Sequence, residues 1–312
     1  MRIGFAFATV VAALLLVPAD AQTAGSVAVR DNGLVATWYA SASGKPAPVI
    51  ITLGGSECGE QTADLTGQFL AAKGFGVLAL AYCGVEGTPP GAYNIPLEYF
   101  EKAVGWIETQ PLADKTRVGI FGSSIGGETA LLVASRDPRI KAVVAGSPSS
   151  VIWQGYDQRN PANVVPTYTL DGKPVPYLPY DMSKPFVSVF DLCQRSLANV
   201  PAHPEAVIAV ERINGPVLLF SGTKDGLWPS GAMADQVIQR LDAKSFRYAH
   251  DHIAYPDAGH RVTAMPGNGP ANALENAHPE LGLGGTEEAN GAARVDVWKR
   301  TIIFYQKNLS QF

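Results

Sequence analysis

Cysteine is scarce in this chain. There are three in 312 residues and no C-x-x-C pair, so a structural zinc site has no ligand set of the usual spacing. Charge is unconcentrated as well. The 24 Lys and Arg residues face 28 Asp and Glu for a net of −4, and no basic block or aromatic-interleaved Lys/Arg stripe occurs, which leaves nucleic acid no electrostatic footprint. The apolar run over residues 3–17 falls short of the ~20 residues a bilayer-spanning helix needs. Disorder is excluded from the other side, because 46% of the residues are hydrophobic, enough to build a substantial core.

The amino-terminal run reads as an export signal. One basic residue, Arg2, precedes the apolar stretch, and Ala19-Asp20-Ala21 supplies the small residues of a cleavage site. The expectation is a signal peptide over 1–21 and one domain over 22–312, periplasmic or secreted, with no stable membrane insertion after cleavage. In such a protein one disulfide and one leftover thiol can form. Cys58 and Cys83 each follow an expected strand on the same sheet edge, which makes them the candidate pair if a disulfide forms. Three separate buried thiols, Cys193 included, is the alternative.

Strand-like apolar runs alternate with helical spacing along the chain. Strands are expected at 48–53, 76–81, 118–121, 140–145, 216–221 and 246–254, with helices at 62–73, 94–109, 125–135, 232–241 and 292–309. Leu97, Phe100, Val104 and Ile107 show the helical period. This alternation predicts an α/β architecture, a mostly parallel central sheet with helices on both faces. Residues 151–214 break the rhythm with many Pro, Tyr and Asn. They read as a cap or lid insertion over the carboxyl edge of the sheet, and their aromatic content argues against disorder.

Residues 122–126, GSSIG, fit G-x-S-x-G between an expected strand and an expected helix, the context of a nucleophile elbow. So tight a turn needs nearly side-chain-free residues two before and two after the nucleophile. Gly122 and Gly126 meet that need for Ser124. Ser123 would have Phe121 and Ile125 there instead. A serine hydroxyl needs a base, and on this architecture the acid and the histidine follow in the order Ser, Asp, His. Asp225, in the loop after the 216–221 strand, and His260, in a later glycine-containing loop, satisfy that order.

Asp257 and Asp251 are nearer to His260 in sequence but lie outside the loop after the preceding strand. His250 and His252 form an H-x-H that could ligate a metal, yet no third ligand accompanies them. His203 lies beside Pro204 in the insertion and His278 in a polar loop. For the oxyanion hole the candidates are the backbone N–H of Ile125 and a donor from the glycine-rich loop 54–59, assigned to Ser56 with Glu57 as fallback. Glu57, Trp228 and Trp153 are candidate substrate contacts. No metal and no cofactor is called for.

Several segments carry a family likeness: GFGVLALAYCG, NIPLEYFEKAVGWI, VGIFGSSIGGETALLVAS, GPVLLFSGTKDGLWPS, YPDAGH and LGLGGTEEANGAARVDVWKRTIIFYQKNL. Over about residues 46–312 the chain resembles the catalytic domain of the acyl-CoA thioesterases, a domain shared with bile acid-CoA:amino acid N-acyltransferase. The resemblance implies an α/β-hydrolase fold, a Ser124–Asp225–His260 triad and an acyl-enzyme on Ser124. Within that family a nucleophilic serine goes with hydrolysis and a cysteine with amino-acid transfer, so Ser124 points to water as acceptor. The eukaryotic members carry an immunoglobulin-like domain for which the segment before residue 46 is too short. That difference and the export signal favour a simpler ester or thioester over acyl-CoA. The expectation is therefore an exported serine hydrolase of small-molecule esters or thioesters. Its rivals are an acyltransferase to an amine or alcohol and a non-catalytic binding protein of the same fold.

Overall fold

The computed structural model describes residues 25–157, 159–160, 163–267 and 269–310. The expected signal peptide lies outside them. The strands are, in order, β1 (Ser26–Val29), β2 (Val35–Tyr39), β3 (Ala47–Leu53), β4 (Gly76–Ala81), the short β5 (Ile95–Pro96), β6 (Ala113–Ser123) and β7 (Ile140–Gly146). Four short strands follow, β8 (Gln154–Tyr156), β9 (Val164–Pro166), β10 (Tyr168–Leu170) and β11 (Lys173–Pro174), and then β12 (Val217–Gly222) and β13 (His250–Tyr255). The helices are α1 (Glu60–Ala71), α2 (Glu98–Glu108), α3 (Ile125–Arg136), α4 (Val189–Leu197), α5 (Ser230–Ala243), α6 (Ala273–Ala277) and α7 (Glu287–Asn308).

Among the described residues eight strands form one sheet in the order β1-β2-β4-β3-β6-β7-β12-β13. Pairing is parallel from β4 to β13, and β1 and β2 run antiparallel at one edge. Alternate residues of the central strands serve two separate cores, as the two-residue period of a strand requires. Ile51, Ile120, Val143 and Leu219 pack with α2, α3 and α5 through Phe100, Val104, Leu132 and Val237. Their neighbours Ile50, Phe121, Val144 and Phe220 pack with α1 and α7 through Leu70, Val297, Trp298 and Tyr305. Phe121 stacks on Trp298 with ring centres 4.9 Å apart. Both faces of the parallel strands are therefore covered, which explains their unbroken apolar runs.

The structure departs from the sequence reading at several ends, each for a local reason. The β1–β2 hairpin was not anticipated; β1 is short, and its Val27 is exposed. Helix α2 starts at Glu98, because Ile95–Pro96 is extended and pairs in parallel with β10. A residue before proline is pushed out of the helical region. The last strand starts at His250 rather than 246, since Phe246 still donates its N–H to Leu241 O to close α5, with Ser245 at φ +51°. Helix α7 begins earlier than 292, where the Thr286 hydroxyl accepts the Ala289 N–H and Glu287 and Glu288 fill the first turn.

Between β7 and β12, β8 pairs with β9 and β10 with β11, and α4 starts from a Ser188 cap. Cys58 and Cys83 form a disulfide, and Cys193 is a free, buried thiol. No helix among the described residues is long and apolar enough to cross a membrane.

Candidate active site

Ser124 stands between β6 and α3 with φ 58° and ψ −127°, a conformation that L-residues rarely take. Its N–H donates to Gly146 O on the neighbouring β7, 2.9 Å. The sequence argument about side-chain-free flanks has a steric basis here. A Cβ on Gly122 would lie 2.0 Å from Gly126 O, and one on Gly126 would lie 2.1 Å from Gly54 O. Backbone on backbone leaves no room to relax. Ser123 faces elsewhere, its Oγ accepting from the Thr263 hydroxyl at 2.7 Å.

His260 brings its Nε2 to 3.0 Å from Ser124 Oγ and its Nδ1 to 2.8 Å from Asp225 Oδ2. An ionised carboxylate only accepts, so Nδ1 carries the hydrogen and Nε2 turns a lone pair to the serine. Asp225 and His260 are 8% and 5% exposed, and the Asp225 carboxylate is fully engaged. Its Oδ1 accepts the N–H groups of Leu227 and Trp228 at 2.9 and 3.2 Å, and its Oδ2 also accepts the Ser230 hydroxyl at 2.5 Å. These bonds stand in for water around a buried charge and fix the oxygen that orients the imidazole.

The loops that carry Asp225 and His260 are clamped by a segment the sequence reading quoted but gave no role. Residues 282–285 read GLGG. Leu283 O accepts the His260 N–H at 2.7 Å, and Gly284 pairs with Asp225 in an antiparallel bridge. Gly284 has φ +73°, and a Cβ there would meet Lys224 O at 2.0 Å. Beneath it the buried Asn290 accepts the Gly259 N–H at 2.7 Å and donates to Asn272 Oδ1 at 2.7 Å. The signal available in sequence was the glycine cluster just before α7. Ser147, at φ +40°, completes the frame by donating its hydroxyl to His260 O at 2.6 Å.

The other candidates fall around this line. Ile125 is the first residue of α3, so its N–H has no acceptor within the helix. In the 54–58 loop the Gly55 side faces Ser124, an added Cβ lying 3.5 Å from Ser124 Cβ. The Gly55 N–H is taken by Glu57 Oε1 at 3.0 Å, whereas the N–H of the exposed Ser56 has no acceptor among the described residues. Trp228 stands edge-on to the His260 ring, centres 5.8 Å apart, and donates Nε1–H to Ser147 O. Trp153 is 1% exposed, stacked on Tyr180, in an apolar cluster that also takes in Trp228 and Ile125.

Two buried ionisable groups sit close by. Glu128, on the first turn after Ser124, accepts the Trp153 N–H, while its Oε2 has no partner; burial lifts its carboxyl well above the usual range. Burial, with Asp225 and Glu128 adding to it, pushes the Cys193 thiol up to about 12, so it is no thiolate.

The remaining histidines are engaged elsewhere. His250 bonds Asp242 and Tyr248 O, and His252 bonds Asp235 and Ser221. His203 lies 3.6 Å from Glu205 and His278 3.1 Å from Glu280. Asp257 gives its backbone N–H to Thr223 and its carbonyl to Thr286, contacts that hold the loop and leave the imidazole to Asp225.

Similarity to known proteins follows the same lines. The chain is 29% identical over 291 residues to human acyl-coenzyme A thioesterase 1, and 30% identical over 290 residues to mouse mitochondrial acyl-coenzyme A thioesterase 2. These matches take in 90% and 91% of this chain but only 65% and 60% of the relatives, so it spans under two thirds of their length. Among solved structures, a puromycin-hydrolyzing peptidase of Mycobacterium tuberculosis superposes with a TM-score of 0.59 at 17% identity, over 92% of this chain and 40% of that one. The strand order and likenesses of this kind give the α/β-hydrolase fold. Residues 95–311 match the family model described as "BAAT / Acyl-CoA thioester hydrolase C terminal", and the chain belongs to that family.

Proposed function

We propose that this protein is a serine hydrolase that cleaves an acyl thioester or carboxylic ester through an acyl-enzyme on Ser124. The observation that carries the reading is the continuous line from Ser124 Oγ through His260 to Asp225 Oδ2, with the serine on a strained turn at a helix start. His260 Nε2 takes the hydroxyl proton as Oγ attacks the acyl carbon. The imidazolium then gives that proton to the leaving thiol or alcohol. Water, deprotonated by the same nitrogen, adds to the acyl-enzyme, and collapse releases the acid and returns the proton to Ser124. Asp225 stabilises the imidazolium throughout. The N–H groups of Ile125 and Ser56 receive the oxyanion, and each such donor is worth about 10²–10³ in rate.

The family supports a thioester as the bond cleaved. Trp228 edge-on to His260 and the half-buried Ile125 beside Ser124 put apolar surface next to the nucleophile and support an apolar acyl group there, with residues 151–214 as its cap. Export is part of the proposal. The signal-like residues 1–21 and a Cys58–Cys83 disulfide suit an oxidising compartment, away from the cytoplasmic coenzyme A pool.

The test is to label the folded protein with a fluorophosphonate and screen p-nitrophenyl esters and acyl-CoAs of graded chain length. One adduct at Ser124 with release of free acid is expected. No adduct on Ser124 would end the serine mechanism and leave the non-catalytic rival. A conjugate exceeding free acid when an amine acceptor is added would replace hydrolysis by transfer.

A further inference from the structure

The loop that would supply the second oxyanion donor has a glycine pair at its root, and glycine peptides flip easily. What holds Gly54 and Gly55 is a side chain from the next strand over. Tyr82, just past the end of β4 and fully buried, donates its phenol O–H to both Gly54 O at 2.8 Å and Gly55 O at 3.0 Å. Burial lifts the phenol well above the ordinary tyrosine range, so it remains a donor. In a trans peptide the C=O and the following N–H point to opposite sides. Fixing Gly55 O on Tyr82 therefore fixes the Ser56 N–H away from Tyr82, where no acceptor among the described residues meets it. The same clasp on Gly54 O sets the Gly55 N–H on Glu57.

The far end of the loop is tied to the same strand. Cys58 O accepts the N–H of Tyr82 at 2.9 Å and of Cys83 at 3.3 Å, and Cys58 and Cys83 are joined by the disulfide. Cys58 has φ +37°, a left-handed conformation costly for a non-glycine residue unless its surroundings impose it. Its N–H also bonds Gly55 O, which links the covalent tie to the clasped peptide.

We propose that Tyr82 and the Cys58–Cys83 disulfide are positioning groups that preset the Ser56 N–H as an oxyanion donor, so that full turnover requires both the phenol and the closed disulfide. The proposal rests on the serine-hydrolase reading above. Neither group touches the reacting atoms. Their loss acts on the transition state, through a Gly55–Ser56 peptide no longer held in one orientation.

The experiment compares Tyr82→Phe, which keeps the ring and removes the O–H, with wild-type protein before and after treatment with dithiothreitol. The dithiol passes two electrons to the disulfide and is oxidised to its cyclic form, leaving two thiols on the protein. Three quantities are read: kcat and KM on one p-nitrophenyl ester, the affinity of a trifluoromethyl ketone that adds to Ser124 as a tetrahedral oxyanion, and the final stoichiometry of fluorophosphonate labelling.

In the variant and in the reduced protein kcat should fall about tenfold to a hundredfold, short of outright loss of a donor. KM should stay within about twofold, ketone affinity should fall in step with kcat, and labelling should still reach one per chain. Reoxidation should restore the reduced protein. Unchanged kcat in either case overturns the proposal, and so does a lower kcat with unaltered ketone affinity, which marks a merely structural role. Wild-type protein that never labels at Ser124 overturns the hydrolase reading itself, an outcome distinct from the other two. Should Tyr82→Phe fail to fold, the Cys58→Ser/Cys83→Ser variant makes the same comparison against the reduced wild type.

Discussion

Among the described residues two sets of serine, histidine and aspartate stand in hydrogen-bonded line, one at the carboxyl edge of the sheet and one on its flank. In the first, Ser124, His260 and Asp225 are linked at 3.0 and 2.8 Å. In the second, Ser221 Oγ and Asp235 Oδ1 each lie 2.8 Å from a ring nitrogen of His252. Distances alone do not separate them; surroundings do. Ser221 lies within β12 and is wholly buried against the start of α5, an added Cβ on Gly231 lying 3.5 Å from its Oγ, so no acyl carbon can reach it. Ser124 occupies a turn at φ 58° with the free N–H end of α3 at its side. The acids differ in the opposite sense, since the Asp225 side chain is 3% exposed and Asp235 is 64% exposed. A catalytic triad needs an accessible nucleophile with donors next to it and an acid locked out of water, and only the first set has both.

The sharpest way to break this comparison is to remove each serine. Ser124→Ala should cost about 10⁴–10⁶-fold in kcat with the fold intact. Ser221→Ala should leave kcat within about twofold and lower stability by about 1–2 kcal/mol, because His252 loses a buried partner. Comparable activity losses in the two variants would mean that the flank array reaches the chemistry.

Next in size are the acids. Asp225→Asn puts an amide where only an acceptor suits Nδ1–H, and the wrong histidine tautomer should lower kcat about 10⁴-fold. Asp235→Asn, on an exposed pair, should change kcat by less than about twofold and stability by less than about 1 kcal/mol. A mild Asp225→Asn effect would move the acid's role to another residue, with Asp257 and Asp251 next to examine.

The first set was legible in sequence and the second was not, for a physical reason. The elbow imposes local sterics: no side chain fits two residues before or after the nucleophile, so spacing within five residues picks Ser124 over Ser123. Asp225 and His260 follow from strand order, which apolar runs reveal. The Cys58–Cys83 pair came from two strands ending on one edge. By contrast, Asp235 meets His252 only because α5 packs on β13, and Asn290 meets Gly259 only because α7 returns beneath the histidine loop. Side-chain period shows which face of a helix is buried, not which polar group across the interface it meets. The strands between residues 151 and 214 were hidden by brevity, since two- or three-residue strands rich in proline carry no period. Trp153 was offered as a substrate contact on residue type alone, and type does not report that it is 1% exposed.

The smallest expected effect separates the two regions by pH. On the flank, burial pulls the pKa of His250 down, but the Tyr248 carbonyl and the Asp242 carboxylate outweigh it, and the net shift is upward. A histidine whose folded value is raised contributes stability that is complete below its unfolded value, about 6.5, and that is lost as pH rises through the folded value. Asp242→Asn should therefore lower Tm by about 1–2 °C near pH 6 and leave it unchanged near pH 9. The carboxyl edge lies apart from this pair, so kcat/KM of wild type and Asp242→Asn should stay within about twofold of each other at every pH. Thermal melts and kcat/KM measured on the same two proteins across that range decide the matter. A Tm gap that does not narrow with rising pH would remove the charged pair from the flank, and an activity profile moved by Asp242→Asn would show that the two histidine sites are coupled.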